Sequence, residues 1–358
     1  MQLTSEQRII VFSHLGEVLS CLPNGEDRST TPHLKVDWYK EFLRTKTKSV
    51  EINQWFTSEF IDQALLSIGQ SLSEVEIRKW LSNYSDNELT GGKRIGVIMA
   101  GNIPVVGFHD FISVLISGNY FIGKVSSKEG GLLELIAKIL IDIEPRFKKF
   151  ISFSSLELSN IDGLIATGSD NTARYFSYEY KNIPNIIRKN RNSLAILTGD
   201  ESHAELQALA NDIFLYFGLG CRNISKLLVP LNYSFKPLIS ALDKYNSFKS
   251  HWGYMNNYLY QSALYKMENL KVIDNGYLIL KEAFEISSPI GVVNFQYYNN
   301  KKEINEILAL QAEKIQCIAS KIGLGFIPFG KTQFPELWDY SDNVDTIKFL
   351  HLLSKKSF

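Results

Sequence analysis

Arg94-Ile95-Gly96-Val97-Ile98-Met99-Ala100-Gly101-Asn102-Ile103-Pro104 opens the stretch that decides the fold. A short Ile and Val run stops at a Gly-Asn-x-Pro turn, helical spacing takes over from Val105 to Ser117, and Tyr120-Phe121-Ile122-Gly123-Lys124 follows as a second short run. Downstream the alternation continues: a helix through Gly131 to Ile143, a strand at Gly163-Leu164-Ile165-Ala166, a helix from Asn171, and a strand at Ser193 to Leu197 closing at the Thr198-Gly199-Asp200 turn. Strand and helix in strict alternation predict an α/β unit built on a parallel, helix-covered sheet. The apolar stretch from Ile95 to Gly123 is broken by Asn102, Pro104, His109, Asp110 and Asn119, so it reads as several elements and not as one membrane helix.

Upstream, the pattern is helical. Thr4 with Gln7 has the form of a capping box, and Ile9, Ile10, Phe12, Leu15, Val18, Leu19 and Leu22 follow at helical spacing. A polar loop is expected around Pro23 to Pro32, then further helices over Val36 to Tyr84, one with Phe56, Phe60, Ile61, Ala64, Leu65 and Ile68 on a face and another near Ser73 to Leu81. Beyond the first α/β unit come a helix at His203 to Phe217, a glycine turn carrying Cys221, a strand at Lys226 to Val229, and mixed elements down to Phe329. Four parts are expected: a helical region over 1–90, a first α/β domain over 91–200, a second over 201–330, and a C-terminal segment over 331–358.

The 358 residues can bury a sizeable core, with 45% apolar and 21% charged residues and 22 Phe, 17 Tyr and 5 Trp. Lys plus Arg and Asp plus Glu both number 38, so no global basic field is available to hold a nucleic-acid backbone or an anionic membrane. Cys21, Cys221 and Cys317 are too far apart for a CxxC-type metal site, and their odd number does not suggest a disulfide framework. With no basic leader ahead of an apolar core in Met1 to Arg8, a cytoplasmic protein without a membrane span is expected.

Cys221 stands in Phe217-Gly218-Leu219-Gly220-Cys221-Arg222-Asn223, where two glycines let the backbone turn so that the sulfur and its own N–H can point into a cleft. Asn102, at the end of a strand and ahead of a helix, could give its amide to a developing oxyanion. Thr167-Gly168-Ser169 could offer N–H groups to a phosphate at a helix start. Cys21 and Cys317 read as core thiols, His109 as a structural histidine, and the Arg188-Lys189-Asn190-Arg191 run either as a solvated turn or as a contact for the phosphates of a ligand.

In order and spacing these pieces resemble the aldehyde dehydrogenase superfamily, above all its acyl-CoA reductase branch, the LuxC-like fatty-acyl reductases of bacterial luminescence. Asn102 matches the superfamily's Trp-Asn-Phe-Pro element with Gly101 in place of Trp. Lys124 matches the lysine ending the next strand, Gly168-Ser169 the Phe-Thr-Gly-Ser turn, and Cys221 the nucleophile. Glu285-Ile286-Ser287-Ser288-Pro289 reproduces the Glu-x-Phe-Gly-Pro spacing, whose glutamate holds the nicotinamide ribose. The resemblance covers roughly residues 91 to 330, and the tail from Phe329 to Thr346 is similar to the same branch. It implies a Rossmann-type cofactor domain, an α/β catalytic domain, Cys221 and Asn102 as catalytic residues, and Lys124, Ser127, Lys128, Gly168, Ser169, Glu285 and Pro289 at the cofactor.

Two departures from the superfamily are informative. Where hydrolytic members keep a Glu-Leu-Gly-Gly-Lys element with a general-base glutamate, this chain has Arg188-Lys189-Asn190-Arg191-Asn192, so a thioester on Cys221 would be resolved by hydride or a thiol. Where NAD-selective members place a glutamate three residues after the lysine, this chain has Ser127 followed by Lys128, which would accept a 2′-phosphate and select NADPH over NADH. The expected activity is NADPH-dependent reduction of an acyl-CoA, or another acyl thioester, to an aldehyde. Non-redox acyl transfer through Cys221 is the alternative, and a homo-oligomer or an acyl-donor partner enzyme stays open.

Overall fold

The computed structural model describes residues 3–25, 36–155, 158–323 and 325–355, so residues 26–32 of the loop expected around Pro23 to Pro32 lie outside the described residues. Its contacts divide the chain into two units, residues 1–189 with 336–358, and residues 190–335.

The first unit begins with four helices, α1 (Ser5–Cys21), α2 (Trp38–Ile52), α3 (Ser58–Ser71) and α4 (Glu74–Leu81). The capping box is present: Thr4 Oγ1 accepts from the Gln7 N–H and Gln7 Oε1 from the Thr4 N–H, both at 3.2 Å. Asp37, Thr57 and Ser73 cap the other three, each accepting from an N–H in the first turn. Arg8, on the otherwise apolar face of α1, is buried. It donates to the carbonyls of Leu3, Leu89 and Ile116 at 2.6 to 2.7 Å, and burial pulls its pKa down to about 10.

The chain then alternates as β1 (Arg94–Ile98), α5 (Phe108–Ile116), β2 (Tyr120–Lys124), α6 (Leu132–Ile143), β3 (Ile151–Phe153), β4 (Gly163–Thr167), α7 (Asp170–Glu179) and β5 (Asn185–Arg188). These strands form one parallel sheet in the order β3-β2-β1-β4-β5. The strand order reverses between β1 and β4, which puts the loops after those strands at the topological switch point. Helix α5 is apolar nearly all round and buried, so it belongs to the core; full burial of Phe111 or Leu115 contributes ~1.5–3 kcal/mol each.

The second unit contains β6 (Asn192–Ile196), α8 (His203–Phe214), β7 (Ile224–Pro230), α9 (Lys236–Leu242), α10 (Trp252–Met267), β8 (Val272–Asp274), β9 (Ile279–Glu282), β10 (Val292–Tyr298), α11 (Lys301–Leu310) and β11 (Ile315–Ser320). Its six-stranded sheet runs β11-β6-β7-β10-β9-β8 and is parallel except for the β8–β9 pair. The strand expected at Ser193 to Leu197 therefore pairs in this second sheet, between β7 and β11.

From Glu336 the chain returns to the first unit and ends in α12 (Thr346–Lys355). Trp80 Nε1 donates to the Tyr340 hydroxyl at 2.7 Å, and the Tyr84 hydroxyl donates to Asp345 at 2.9 Å. His109 Nε2 donates to the Leu337 carbonyl at 2.8 Å, the structural role expected for that residue.

Candidate active site

In the first unit, the expected site residues gather at the carboxyl ends of three neighbouring strands. Asn102 follows β1, Lys124 ends β2, and Gly168-Ser169 follows β4. Asn102 is exposed on a loop that contains Val105 at φ 55°, a left-handed conformation costly for a β-branched residue, on the order of 1–3 kcal/mol. The segment 126–128 leans on this loop. A Cβ at Gly101 would lie 2.6 Å from Ser126 Cβ, so the residue standing in place of the superfamily's Trp is what admits the contact. Asn53, buried just past α2, fastens both sides by donating from Nδ2 to the carbonyls of Gly101 (3.3 Å) and Lys128 (3.2 Å).

Ser127 and Lys128 form an exposed 3₁₀ turn that ends at the buried Glu129. Glu129 accepts from the N–H groups of Leu133 (2.9 Å) and Gly131 (3.3 Å) at the start of α6, while burial, aided by Glu134, pushes its pKa up to about 8. Ser169 is the N-cap of α7 and accepts from the Thr172 N–H at 3.3 Å, which puts a helix start at the end of β4. A lysine at a strand end, an exposed hydroxyl and ammonium, and a helix N-terminus at the switch point fit a dinucleotide's phosphates and adenosine ribose.

In the basic run, Lys189 and Asn190 are exposed between β5 and β6, as a solvated turn would be, but Arg188 differs from either expectation. Arg188 is the last residue of β5 and 6% exposed; its guanidinium grips Asp110 with Nη2–Oδ1 at 2.8 Å and donates to Thr346 Oγ1 at 3.3 Å. Arg188 is an internal partner for the α5 carboxylate, neither a solvated turn residue nor a group offered to coenzyme A phosphates. An apolar strand context, Asn-Ile-Ile-Arg, outweighs the local charge density that suggested a turn.

In the second unit, Cys221 is exposed on the turn between α8 and β7. The backbone ahead of it reverses through Tyr216 and Phe217, both at φ 56°, and Gly218 at φ 76°. The Phe217 ring sits 4.1 Å from His251 and 4.6 Å from Phe248, so aromatic packing holds this unfavourable conformation.

Asn223 does most of the bracing. Its Nδ2 faces the carbonyls of Asp212 (3.0 Å), Ile213 (3.4 Å) and Leu215 (2.9 Å), and its Oδ1 accepts from the Gly220 N–H at 2.8 Å. Ser193 Oγ donates to the Cys221 carbonyl at 3.0 Å, and Arg222 Nε to the Thr332 carbonyl at 2.7 Å. Thr332 in turn donates through its N–H and Oγ1 to Asp212, whose carboxyl burial raises to about 6 against those hydrogen bonds. Arg222, next to the thiol in sequence, is thus tied to the chain at Thr332.

Glu285 and Pro289 lie on the exposed segment between β9 and β10, next to β7 in the sheet. Ser193, Asn223, Asp212, Asn53 and Lys226 were not singled out from sequence. Polar residues inside apolar runs, such as Lys226 in Ile-Ser-Lys-Leu-Leu-Val, are the signal that could have found some of them. Cys317, read as a core thiol, lies in β11 and is only half-buried, with its N–H donating to Ser193 Oγ at 3.1 Å. Among the described residues no group of His, Cys, Asp or Glu could hold a metal ion, and no helix is long and apolar enough to cross a membrane.

Solved structures similar to this chain include aldehyde dehydrogenases. An aldehyde dehydrogenase of Bacillus cereus in complex with NAD+ superposes with a TM-score of 0.57 at 14% identity, over 89% of this chain and 72% of that one. KauB of Pseudomonas aeruginosa gives 0.60 at 14% identity over the same shares, and an NAD-dependent aldehyde dehydrogenase of Sinorhizobium meliloti gives 0.60 at 11% over 92% and 72%. The fold is that of the aldehyde dehydrogenase superfamily. Residues 57–234 match the family described as acyl-CoA reductase (LuxC), and the chain belongs to that LuxC-like branch, an oxidoreductase family of the acyl-CoA reductase and aldehyde dehydrogenase type. No curated protein matches it by sequence.

Proposed function

We propose that the chain is an acyl-CoA reductase that converts an acyl thioester, in the first instance a fatty acyl-CoA, to an aldehyde at the expense of NADPH. The observation that carries the reading is the exposed Cys221, held on a strained and heavily braced turn inside a chain of the acyl-CoA reductase family. Its thiolate attacks the thioester carbonyl carbon. The side-chain amide of Asn102 and the backbone N–H of Cys221 serve the oxyanion, and the carbon–sulfur bond to coenzyme A breaks, releasing the thiol and leaving an acyl-Cys221 thioester.

The nicotinamide cofactor supplies, when bound, the hydride that reduces the acyl carbon. Lys124, Ser127 and Lys128 hold its adenosine side, Gly168 and Ser169 its phosphates, and Glu285 with Pro289 its nicotinamide ribose. Ser127 and Lys128 favour a 2′-phosphate because neither places a carboxylate against it. A cytoplasmic location completes the reading.

The test mixes the protein with NADPH or NADH and acyl-CoAs of graded chain length, following nicotinamide absorbance and the mass of the protein. Consumption of NADPH in step with aldehyde, lost in Cys221→Ala, is the expected result. Acyl-Cys221 that forms and passes to added thiols while neither nicotinamide is consumed would assign the scaffold to non-redox acyl transfer. Ser127→Glu is expected to move the preference toward NADH, and an unchanged ratio would remove Ser127 from cofactor selection.

A further inference from the structure

Strand β7 is buried along almost its whole length, yet it carries Lys226, whose exposure is 0%. A buried ammonium persists only where its N–H groups are matched by acceptors. Lys226 Nζ donates to the Phe284 carbonyl at 2.5 Å and to Gln296 Oε1 at 2.7 Å, and it stands 5.3 Å from the centre of the Phe284 ring. Burial lowers its pKa to about 8, and the charge of Glu285 works in the opposite direction, so the two groups sense each other.

The neighbouring backbone is held in the same manner. The Phe284 carbonyl takes a second donor from Gln311 Nε2 at 3.1 Å, Asn294 Nδ2 donates to the carbonyls of Glu285 and Ser287 at 3.0 Å each, and Ser225 Oγ donates to that of Ile286 at 2.8 Å. Every carbonyl from Phe284 to Ser287 is therefore tied to a side chain of the second unit, while the Glu285 side chain itself stays exposed. Ser225 and Lys226 are the fourth and fifth residues after Cys221, so the strand that follows the thiol's turn carries two anchors of the Glu285 segment.

We propose that Lys226 is a positioning residue for cofactor capture, clamping the Phe284 carbonyl so that the Glu285 carboxylate is presented in one orientation to a ribose diol. This rests on the reading of Glu285 given above. A floppy segment would have to be ordered at each binding event, and the clamp meets that entropic cost during folding instead. Because Lys226 acts through Glu285, the two are coupled in binding, which a purely structural lysine would not be.

The experiment is a double-mutant cycle on the full chain, with the Kd of NADPH read by quenching of protein fluorescence, alongside steady-state kinetics. Lys226→Met and Glu285→Gln are each expected to weaken NADPH by about tenfold, and the double variant by about tenfold again rather than a hundredfold. In Lys226→Met, KM for NADPH rises while kcat changes less than about twofold, and Cys221 acylation without cofactor stays at the wild-type rate. Fully multiplicative effects, or an unchanged Kd in Lys226→Met beside a weakened Glu285→Gln, would overturn the role of Lys226 alone. An unchanged Kd in Glu285→Gln would overturn the assignment of Glu285 and, with it, the clamp. If Lys226→Met does not fold, Gln311→Leu removes the other donor to the same carbonyl without touching a charge. It is expected to weaken NADPH by about threefold in the wild-type background and not at all in Glu285→Gln; no change in either background would overturn the clamp.

Discussion

The hydroxyl of Ser193 donates to the carbonyl oxygen of Cys221 at 3.0 Å, so the first strand of the second unit holds the backbone of the proposed nucleophile. The Cys317 N–H completes that hydroxyl's bonding from the other neighbouring strand. A nucleophile gains from fixed placement only if its main chain is fixed. Ser193→Ala is expected to slow acylation of Cys221 by about fivefold, the worth of one hydrogen bond, with little change in NADPH affinity. Stopped-flow release of coenzyme A thiol reads this directly, and a wild-type rate would leave Ser193 a mere sheet residue.

Asn223 is a stronger lever on the same turn. Truncation to Ala strips the partner from carbonyls at the end of α8 and from the Gly220 N–H, all in a buried setting. The expected loss is about 2–3 kcal/mol in unfolding free energy, seen as a lower urea midpoint at unchanged slope.

Asn102→Ala tests the proposed oxyanion donor. Removing one such donor costs on the order of 100- to 1,000-fold in turnover, whereas NADPH binding, measured by fluorescence, is expected to stay within twofold. Turnover near that of the wild type would strike Asn102 from the mechanism.

Glu129 predicts a dependence of stability on pH. Its carboxyl, raised to about 8 by burial, holds a proton in the folded chain that the unfolded chain has already released above the ordinary carboxyl range. The stabilisation is full below that ordinary range and is lost as pH rises toward 8. Thermal unfolding followed at pH 6 and pH 8.5 is expected to show a midpoint about 5 °C or more lower at the higher pH, and Glu129→Gln to narrow that gap. A gap of the same size in the variant would assign the effect elsewhere.

Gly101 supplies a rescue experiment. An alanine Cβ would meet Ser126 Cβ at 2.6 Å, so Gly101→Ala should lower the melting temperature and weaken NADPH. Adding Ser126→Gly, which removes the clashing atoms, should restore both. Failure of the rescue would mean that the loop is disturbed by something other than this contact.

The strands and helices of the first sheet were legible because β1, β2 and β4 are apolar runs closed by turn residues, and the Thr4 and Ser73 caps announce their helices. Strands β3 and β5 were not read. One has three residues, and the other ends in Arg188 beside further charges, so a local pattern points to a turn while the distant Asp110 makes it a strand end. The chemistry-bearing positions stood out because glycine and proline flank them. Their supports did not, since Asn53 and Gly101, or Asn223 and Leu215, meet only when the chain has folded, and nothing in the local spacing records the pairing.

The route of the chain has a consequence for its synthesis. The second unit is one continuous stretch, whereas the first is interrupted by it and regains Tyr340, Asp345 and Thr346 only near the end. During translation Trp80, Tyr84 and Arg188 wait for these partners until the ribosome has made the whole intervening unit. The unit made later therefore has all its own residues first, and a nascent chain arrested before Glu336 would expose the surface on which α12 and the segment ahead of it come to rest.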